Sequence, residues 1–498
     1  MDEPPLRAVV IGAGVGGAAA ALLLARAGIP TLLAERARRV GGSAAYERDG
    51  FRVDAYTHML CRGEAGPLGD VLRRAGHADA ITFREGREPA ALAFAGAARG
   101  ARGGGPRARR AVVPGELRRL AGFARDLARG LELGPLEAAR AARLVAHAAS
   151  MRDVDLAACD DVTAEQYVAR FLARPAAAAG LAGLLALPLL LPGAEASAGE
   201  ALFALRQIAR GGPPRYPEGG AGRVPDVFSR LAQELGAAVW TSSTVRRVLV
   251  RDRRVCGVEL ADGTAVAAGI VVSTADLPTT VSALVGEAHF PEAYVARVRA
   301  LRPAPRRVEV KIGLRRRLVA ASALAGLDGG EGASPSPFYG VVPTSFDPSL
   351  APPGHELLCA SAVASGASVD GLVRALDRAV PGLLADVVFV DGSPAGSAEA
   401  PGMPGGERAA GTAQVPGQVG RARPAVHTPV RGLYLAGRAA GGRGVGMELA
   451  ASSAIECVDR ILVDLGRDLG APPRPELADI AGDLLERAAA STLSRLTR

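Results

Sequence analysis

The chain has almost no lysine and few aromatic side chains. Lys311 is the only lysine among 59 basic residues, Trp240 is the only tryptophan, and Phe, Tyr and Trp together make up 4% of 498 residues. So few aromatics cannot build a base-stacking platform, and the basic residues are spread along the chain, so a net charge of +8 does not mark a nucleic-acid binder. The skew to arginine, with abundant Ala, Gly and Pro, reads as GC-rich coding bias. A basic surface still leaves a mild attraction to anionic lipid headgroups open. Cys61, Cys159, Cys256, Cys359 and Cys457 are odd in number, scattered and never spaced as CxxC, which argues against a disulfide framework or a zinc site and for reduced thiols. The opening MDEPPLRAVVIG lacks the basic and apolar regions of a signal peptide, so a cytoplasmic location is expected. Long uninterrupted apolar runs are also missing. The uncharged stretch from Pro175 to Ala194 approaches bilayer length, but Pro188 and Pro192 break it. A buried helix pair lining an apolar substrate cavity is the preferred reading, ahead of a membrane span or a peripheral membrane contact.

What the chain does have is glycine at chosen places. The segment VVIGAGVGGAAAALLLARAGIPTLLAER, Val9 to Arg36, runs strand, glycine turn, uncharged helix, strand, acid. Gly12 makes the turn, Gly14 lets the backbone approach a pyrophosphate at the helix N-terminus, and Gly17 allows close helix–strand packing; Gly16 is counted with them as cofactor-binding. Glu35 ends the second strand, 23 residues beyond Gly12, where a carboxylate can accept a ribose hydroxyl. That acid favours FAD or NAD over NADP. The following RARRVGGS places Arg36, Gly42 and Ser43 where guanidinium and backbone groups can close over a pyrophosphate.

At this length two or three domains are expected. Ala95 to Arg110 is low-complexity and reads as an exposed loop, and residues from about Gly115 to Leu205 are helical in character. After Tyr216 come a glycine turn, a helix and short strands, with hairpin turns near Asp252 to Arg254 and at Asp262-Gly263. Asp391 to Arg423 is Gly/Pro-rich and too long for an idle connection. The stretch GLYLAGRAAGGRGVGMELAASSA is a second strand, glycine turn and helix. Two such transitions at opposite ends of the chain suit one long cofactor, FAD, with its pyrophosphate on the first and its ring at the second.

The first glycine cluster with ERARRVGGS, then YPEGGAGRVPDVF, TVRRV, VVSTAD, APGMPGG with RARP, and the closing GLYLAGRAAGGRGVGMELAASSA together resemble the phytoene desaturase-like branch of the FAD-dependent amine oxidase superfamily, in order over nearly the whole length. The resemblance implies an α/β fold with a Rossmann-type FAD-binding domain assembled from residues 1–75, 215–285 and 415–470. It implies a second α+β substrate domain from 76–214 and 286–414, carrying the helical insert, and a helical tail over 471–498. It also places Gly12, Gly14 and Gly17 on the pyrophosphate, Glu35 on the adenosine ribose, Arg36 and Gly42 nearby, and the Val245 backbone on adenine. Gly437, Arg438, Gly446 and Met447 come near the flavin ring. Tyr56 and Arg438 depart from the family's usual residues. In amine-oxidising members a lysine on the strand matching VKI holds a water beside the hydride-accepting nitrogen, which makes Lys311 the sharpest catalytic candidate; His58 is a second, as an acid/base. No cysteine lies in the closing turn, so FAD is expected to be non-covalent. The expected activity is hydride transfer from an apolar polyene or polycyclic metabolite, by dehydrogenation or isomerisation, with oxygen or a quinone as acceptor. The alternatives are an amine or amino-acid oxidase and a non-catalytic, FAD-stabilised binding protein.

Overall fold

The computed structural model describes residues 6–41, 45–54, 62–87, 90–95, 109–112, 120–210, 214–304, 307–328, 336–363, 368–394 and 411–467. A five-stranded parallel sheet draws its strands from three separated stretches of chain. They are β1 (Ala8–Ile11), β2 (Thr31–Ala34), β9 (Ala238–Trp240), β13 (Ile270–Ser273) and β19 (Leu433–Leu435), in the order β19-β13-β1-β2-β9. Ala8 lies opposite both Thr31 and Ile270, and Ser273 opposite Leu435. Short runs such as AVVI, TLLA and IVVS suit strands covered on both faces, and all but Ile11 of their residues are buried. The helix α1 (Val15–Arg26) carries no charge before its last residue for the same reason. It packs against the sheet, α9 (Arg223–Glu234) and α14 (Gly446–Asp464), and every residue from Gly16 to Ala25 is buried. α2 (Pro67–Ala75) lies along α14.

A small antiparallel sheet follows, of β10 (Val245–Arg251), β11 (Arg254–Leu260) and β12 (Ala265–Ala267). Its turns fall where the sequence puts them: Asp252 and Arg253 have φ of 49° and 55°, and Gly263 has φ of 89°. α10 (Leu277–Thr279) and α11 (Glu292–Arg299) share its core.

The second large sheet has seven strands: β18 (Val387–Pro394), β14 (Arg307–Leu314), β17 (Glu356–Val363), β16 (Ser336–Val341), β15 (Ala323–Asp328), β6 (Ala91–Ala95) and β7 (Arg109–Val112), in that order. It is antiparallel except where β15 meets β6. Alternation along β14 divides its two faces. Val308, Val310, Ile312 and Leu314 join the core under α13 (Val369–Ala379), while Arg307, Glu309 and Lys311 point to the opposite face. Over that face lie the hairpin β3 (Ala45–Arg48) and β4 (Phe51–Asp54), with Phe51 and Val53 packed on Leu357, Cys359 and Phe389. A pair of strands, β5 (Phe83–Glu85) and β8 (Arg215–Pro217), and the short α12 (Pro343–Phe346) fill the adjoining seam.

The helical insert comprises α3 (Leu120–Gly130), α4 (Pro135–Ser150), α5 (Asp153–Ala157), α6 (Ala164–Val168), α7 (Pro175–Ala186) and α8 (Ala198–Arg210), packed around Ala and Leu. Two expectations need correction. The stretch from Pro175 to Ala194 is one helix rather than a pair: α7 stops at Ala186, two residues before Pro188, and a 3-10 turn follows, with Leu190 at φ 56°. No helix among the described residues is long and apolar enough to cross a membrane. The low-complexity stretch from Ala95 to Arg110 is not loop at its ends, because Ala95 closes β6 and Arg109 and Arg110 open β7. Backbone pairing to a sheet edge overrides the weak β preference of Ala and Arg there. Likewise Asp391 to Pro394, at the start of the Gly/Pro-rich stretch, completes β18. The helical tail expected over 471–498 lies outside the described residues.

Candidate active site

The first glycine turn is closed by contacts that leave no room for side chains. Gly12 follows β1 with φ of 93°, and its N–H donates to the Ala34 carbonyl at 2.8 Å. A Cβ on Gly17 would stand 1.8 Å from the Gly12 carbonyl oxygen. Gly14 is the N-cap of α1, and neither a side-chain cap nor a first-turn acid occupies that helix end, which leaves its positive end to an external anion. Gly16 faces the other end of the chain: a Cβ there would lie 2.9 Å from Gly437 Cα and 3.3 Å from the Ala450 carbonyl oxygen. The two glycine-rich transitions, over 400 residues apart in sequence, therefore touch.

Glu35 is buried at the end of β2, and both its carboxylate oxygens are aimed at backbone. Oε2 accepts from Ala13 N–H at 2.7 Å and Oε1 from Ala37 N–H at 2.8 Å. Each oxygen retains a further lone pair, so the carboxylate can still accept a hydroxyl. The Glu35 carbonyl accepts from Ser243 N–H at 2.8 Å, which brings the start of β10, with buried Val245, beside it. Arg36 is exposed next to this acid. An uncapped helix end, a turn with no space for a Cβ and a fixed carboxylate fit the nucleotide half of FAD.

In the second transition Gly437, Gly441, Gly442, Gly444 and Gly446 all have positive φ, from 55° to 117°. Such a turn has little stiffness of its own, and side chains from elsewhere hold it. The Arg423 guanidinium donates to the Gly441 and Arg438 carbonyls, both at 2.7 Å, Gln414 Nε2 donates to the Gly444 carbonyl at 2.8 Å, and Gly442 N–H donates to Glu456 at 2.7 Å. Met447 is buried in the first turn of α14, and Arg438 is half-buried.

Lys311 is buried on β14, and its Nζ donates to Glu309 Oε2 at 3.1 Å; Arg307 Nε stands 3.2 Å from Glu309 Oε1. Cys359, opposite Lys311 on β17, lies within electrostatic reach of Lys311, Glu309 and Asp54, and burial pushes its thiol up to about 12. Asp54 closes β4 and accepts from Tyr216 Oη at 2.7 Å, Ala221 N–H at 2.9 Å and Gly222 N–H at 3.2 Å, tying the hairpin to the start of α9. Lys311 thus lies on the sheet face that this hairpin covers, beside Cys359.

Residues 15–462 match the sequence profile described as flavin containing amine oxidoreductase. The chain belongs to that family. FAD is the cofactor of this flavin containing amine oxidoreductase, and its chemistry is that of a flavin oxidoreductase acting on a small molecule. No curated relative matches the chain. Solved structures similar to it include an oxidoreductase from Methanosarcina mazei, 19% identical with a TM-score of 0.67 over 90% of this chain and 99% of that one. Cyclohexylamine oxidase from Brevibacterium oxydans is 17% identical, with a TM-score of 0.62 over 93% and 100%. A putrescine oxidase bound to putrescine is 16% identical, with a TM-score of 0.61 over 93% and 99%. At these identities the likeness is one of fold.

Of the residues singled out in this amine oxidoreductase, the structure brings Gly12, Gly14, Gly16, Gly17 and Glu35 together around one turn and sets Gly437 against Gly16. Lys311 stands apart from that turn, on the other sheet. Gly42, Ser43, His58 and Tyr56 lie outside the described residues. Sequence reasoning missed Asp54, Asp160, Glu200, Gln414, Arg423 and Arg443. A lone acid in the apolar run SAGEALFAL is the one visible signal for Glu200. Replacing Glu35 with alanine removes the acceptor for the Ala13 and Ala37 N–H groups that shape this turn, so Glu35→Ala should weaken FAD binding about a hundredfold, the scale of a lost charge-assisted hydrogen bond. Titration of apoprotein with FAD, followed by flavin fluorescence, measures it.

Proposed function

We propose that this flavin oxidoreductase dehydrogenates or isomerises an apolar metabolite, a polyene or a polycycle. The observation that carries the reading is the aliphatic layer laid over the seven-stranded sheet: Leu187 and Leu190, at the end of α7, pack on Tyr339, and the insert behind them is built of Ala and Leu. Two aromatic side chains that could flank an amine, Trp240 and Tyr434, are engaged elsewhere. Trp240 is 41% exposed on the edge strand β9, and Tyr434 donates its hydroxyl to Asp464 at 2.8 Å. When bound, FAD supplies a hydride acceptor. The chain's part is to hold the nucleotide half through Gly12, Gly14, Gly17 and Glu35, to border the ring with Gly437, Arg438, Gly446 and Met447, and to exclude water with the aliphatic layer. Lys311 holds a water at its Nζ, fixed in place by Glu309, and His58 serves as acid/base. Arg36, Gly42 and Ser43 close over the pyrophosphate, and the Val245 backbone meets adenine. The FAD domain comprises 1–75, 215–285 and 415–470. FAD is held non-covalently, oxygen or a quinone is the final acceptor, and the protein works in the cytoplasm, with a membrane surface as an apolar source of substrate.

A second reading, oxidation of an amine or amino acid, draws support from the buried Lys311 and from amine oxidases among the similar folds. Against it, the acid best placed to receive an ammonium group, Glu309, already has Lys311 and Arg307 within 3.2 Å. The test is turnover by purified holoprotein. Anaerobic bleaching of the flavin by polyenes, with no peroxide released from amines, is expected. Peroxide release with amines would replace the first reading by the second, and a flavin bleached by no substrate and no reductant would point to a non-catalytic binding protein.

A further inference from the structure

We propose that one face of α8, made of Glu200, Phe203 and Gln207, is the positioning element that holds the second glycine turn and thereby sets the surroundings of the ring end of FAD. The three residues are spaced by three and four, so they share a helix face. Glu200 and Phe203 reach the turn itself, and Gln207 reaches the helix that follows it through Arg62. Glu200, 1% exposed, places Oε1 3.3 Å from Arg443 Nε and accepts on Oε2 from Gln414 Nε2 at 3.3 Å, the same nitrogen that donates to the Gly444 carbonyl. Phe203 carries the Arg443 guanidinium over its ring at 5.4 Å and packs against Gly444, where a Cβ would stand 3.4 Å from the ring. Gln207 accepts from Arg62 at 2.7 Å, and Arg62 in turn donates through its backbone N–H and Nε to Glu448, in the first turn of α14, at 2.8 and 3.3 Å.

The helix making these contacts is itself fixed. Ser197, just before α8, donates its hydroxyl to the Asp160 carbonyl at 3.0 Å and its N–H to the Gln414 carbonyl at 2.9 Å. Asp160 also accepts from Arg443, and it is clasped so tightly that a Cβ on Gly199 or Gly420 would fall within 2.0 Å of its carboxylate. Aliphatic side chains would pack this junction at least as stably as buried ions, so ions here specify a geometry rather than supply stability. The geometry they specify is that of a turn whose glycines impose none. The charged groups facing Glu200 are Arg443, Arg423 and Asp160, and burial raises its carboxyl above the usual range against the pull of the two arginines. An isosteric amide at this position keeps an acceptor for Gln414, and Arg443 keeps Asp160, so the variant should fold. Because α8 belongs to the helical insert, it links the substrate side of the protein to the cofactor side.

The inference rests on the reading that residues 437–447 border the flavin ring, and a third variant separates the two. Glu200→Gln, Gln207→Ala and Gly446→Ala are compared with wild type for FAD affinity, visible flavin spectrum and the melting temperature of the apoprotein. For Glu200→Gln and Gln207→Ala the expected result is a Kd for FAD raised about tenfold, the scale of one lost polar contact, and displaced flavin absorption bands, with little change in apoprotein melting. Gln207 is only partly buried, so its variant folds even if the Glu200 variant does not. Wild-type affinity and spectrum in the α8 variants, or lowered melting with an unchanged spectrum, would overturn the proposal. If Gly446→Ala shifts the bands while the α8 variants do not, the turn still borders the ring and only the role of α8 falls. If none of the three shifts them, both fall.

Discussion

Gly17→Ala should give a protein that does not retain FAD and unfolds well below the wild-type temperature. The methyl group would stand 1.8 Å from the Gly12 carbonyl oxygen and 3.0 Å from its carbon, and both atoms are backbone. Gly12 cannot yield. Its φ of 93° is fixed by the hydrogen bond to Ala34, and the Thr274 hydroxyl, which donates to the Ile11 carbonyl at 2.7 Å, stands only 2.6 Å from where a Gly12 Cβ would be. The helix must therefore move away from β1, and it carries the buried run from Ala18 to Leu24 with it. Overpacking of a well-filled core costs about 1–3 kcal/mol, and a backbone collision belongs at or above the upper end. Gly28→Ala is the control. It has φ of 71° but nothing within 4 Å, so it should lose only about 1–2 kcal/mol of left-handed strain and keep the cofactor. Thermal melts of apoprotein and the flavin content of purified protein distinguish the two; equal behaviour would mean the Gly12–Gly17 contact does not govern the site.

That contrast also separates what the sequence displays from what it hides. The turn from Ile11 to Gly17 and the acid at Glu35 are legible because spacing along one strand–helix–strand unit fixes their geometry, and the contacts of Glu35 with Ala13 and Ala37 are local to that unit. The closeness of Gly16 to Gly437 follows only by supposing that one cofactor spans both transitions. The polar junction under the second turn is illegible. Asp160, Glu200, Gln414 and Arg443 come from four segments, and nothing in the spacing along the chain pairs these polar side chains until the fold brings them together. Asp54 is hidden for the same reason, since its partners Tyr216, Ala221 and Gly222 lie more than 160 residues away. Local composition misleads in the other direction at β7, where pairing to β6 makes a strand of an arginine-rich run.

Lys311→Met should slow recovery of the cofactor's absorbance by oxygen about a hundredfold, the scale on which a positioned donor acts at a reacting centre. The difficulty is that Lys311 has a structural partner, so loss of rate alone does not identify a chemical role. Removing Nζ leaves Glu309 buried with Arg307 still 3.2 Å away, and breaking a buried pair costs about 3–5 kcal/mol. Arg307 should hold the cost near the lower figure. The double variant Lys311→Met with Glu309→Gln removes both charges and should regain most of that stability. If Lys311 acts on oxygen chemistry, the double variant melts close to wild type but recovers absorbance as slowly as the single one. If the lysine serves only to balance Glu309, stability and rate return together. A single variant that binds FAD normally and recovers at the wild-type rate would remove Lys311 from the active site and leave it as a counter-ion on β14, next to the edge strand of the sheet.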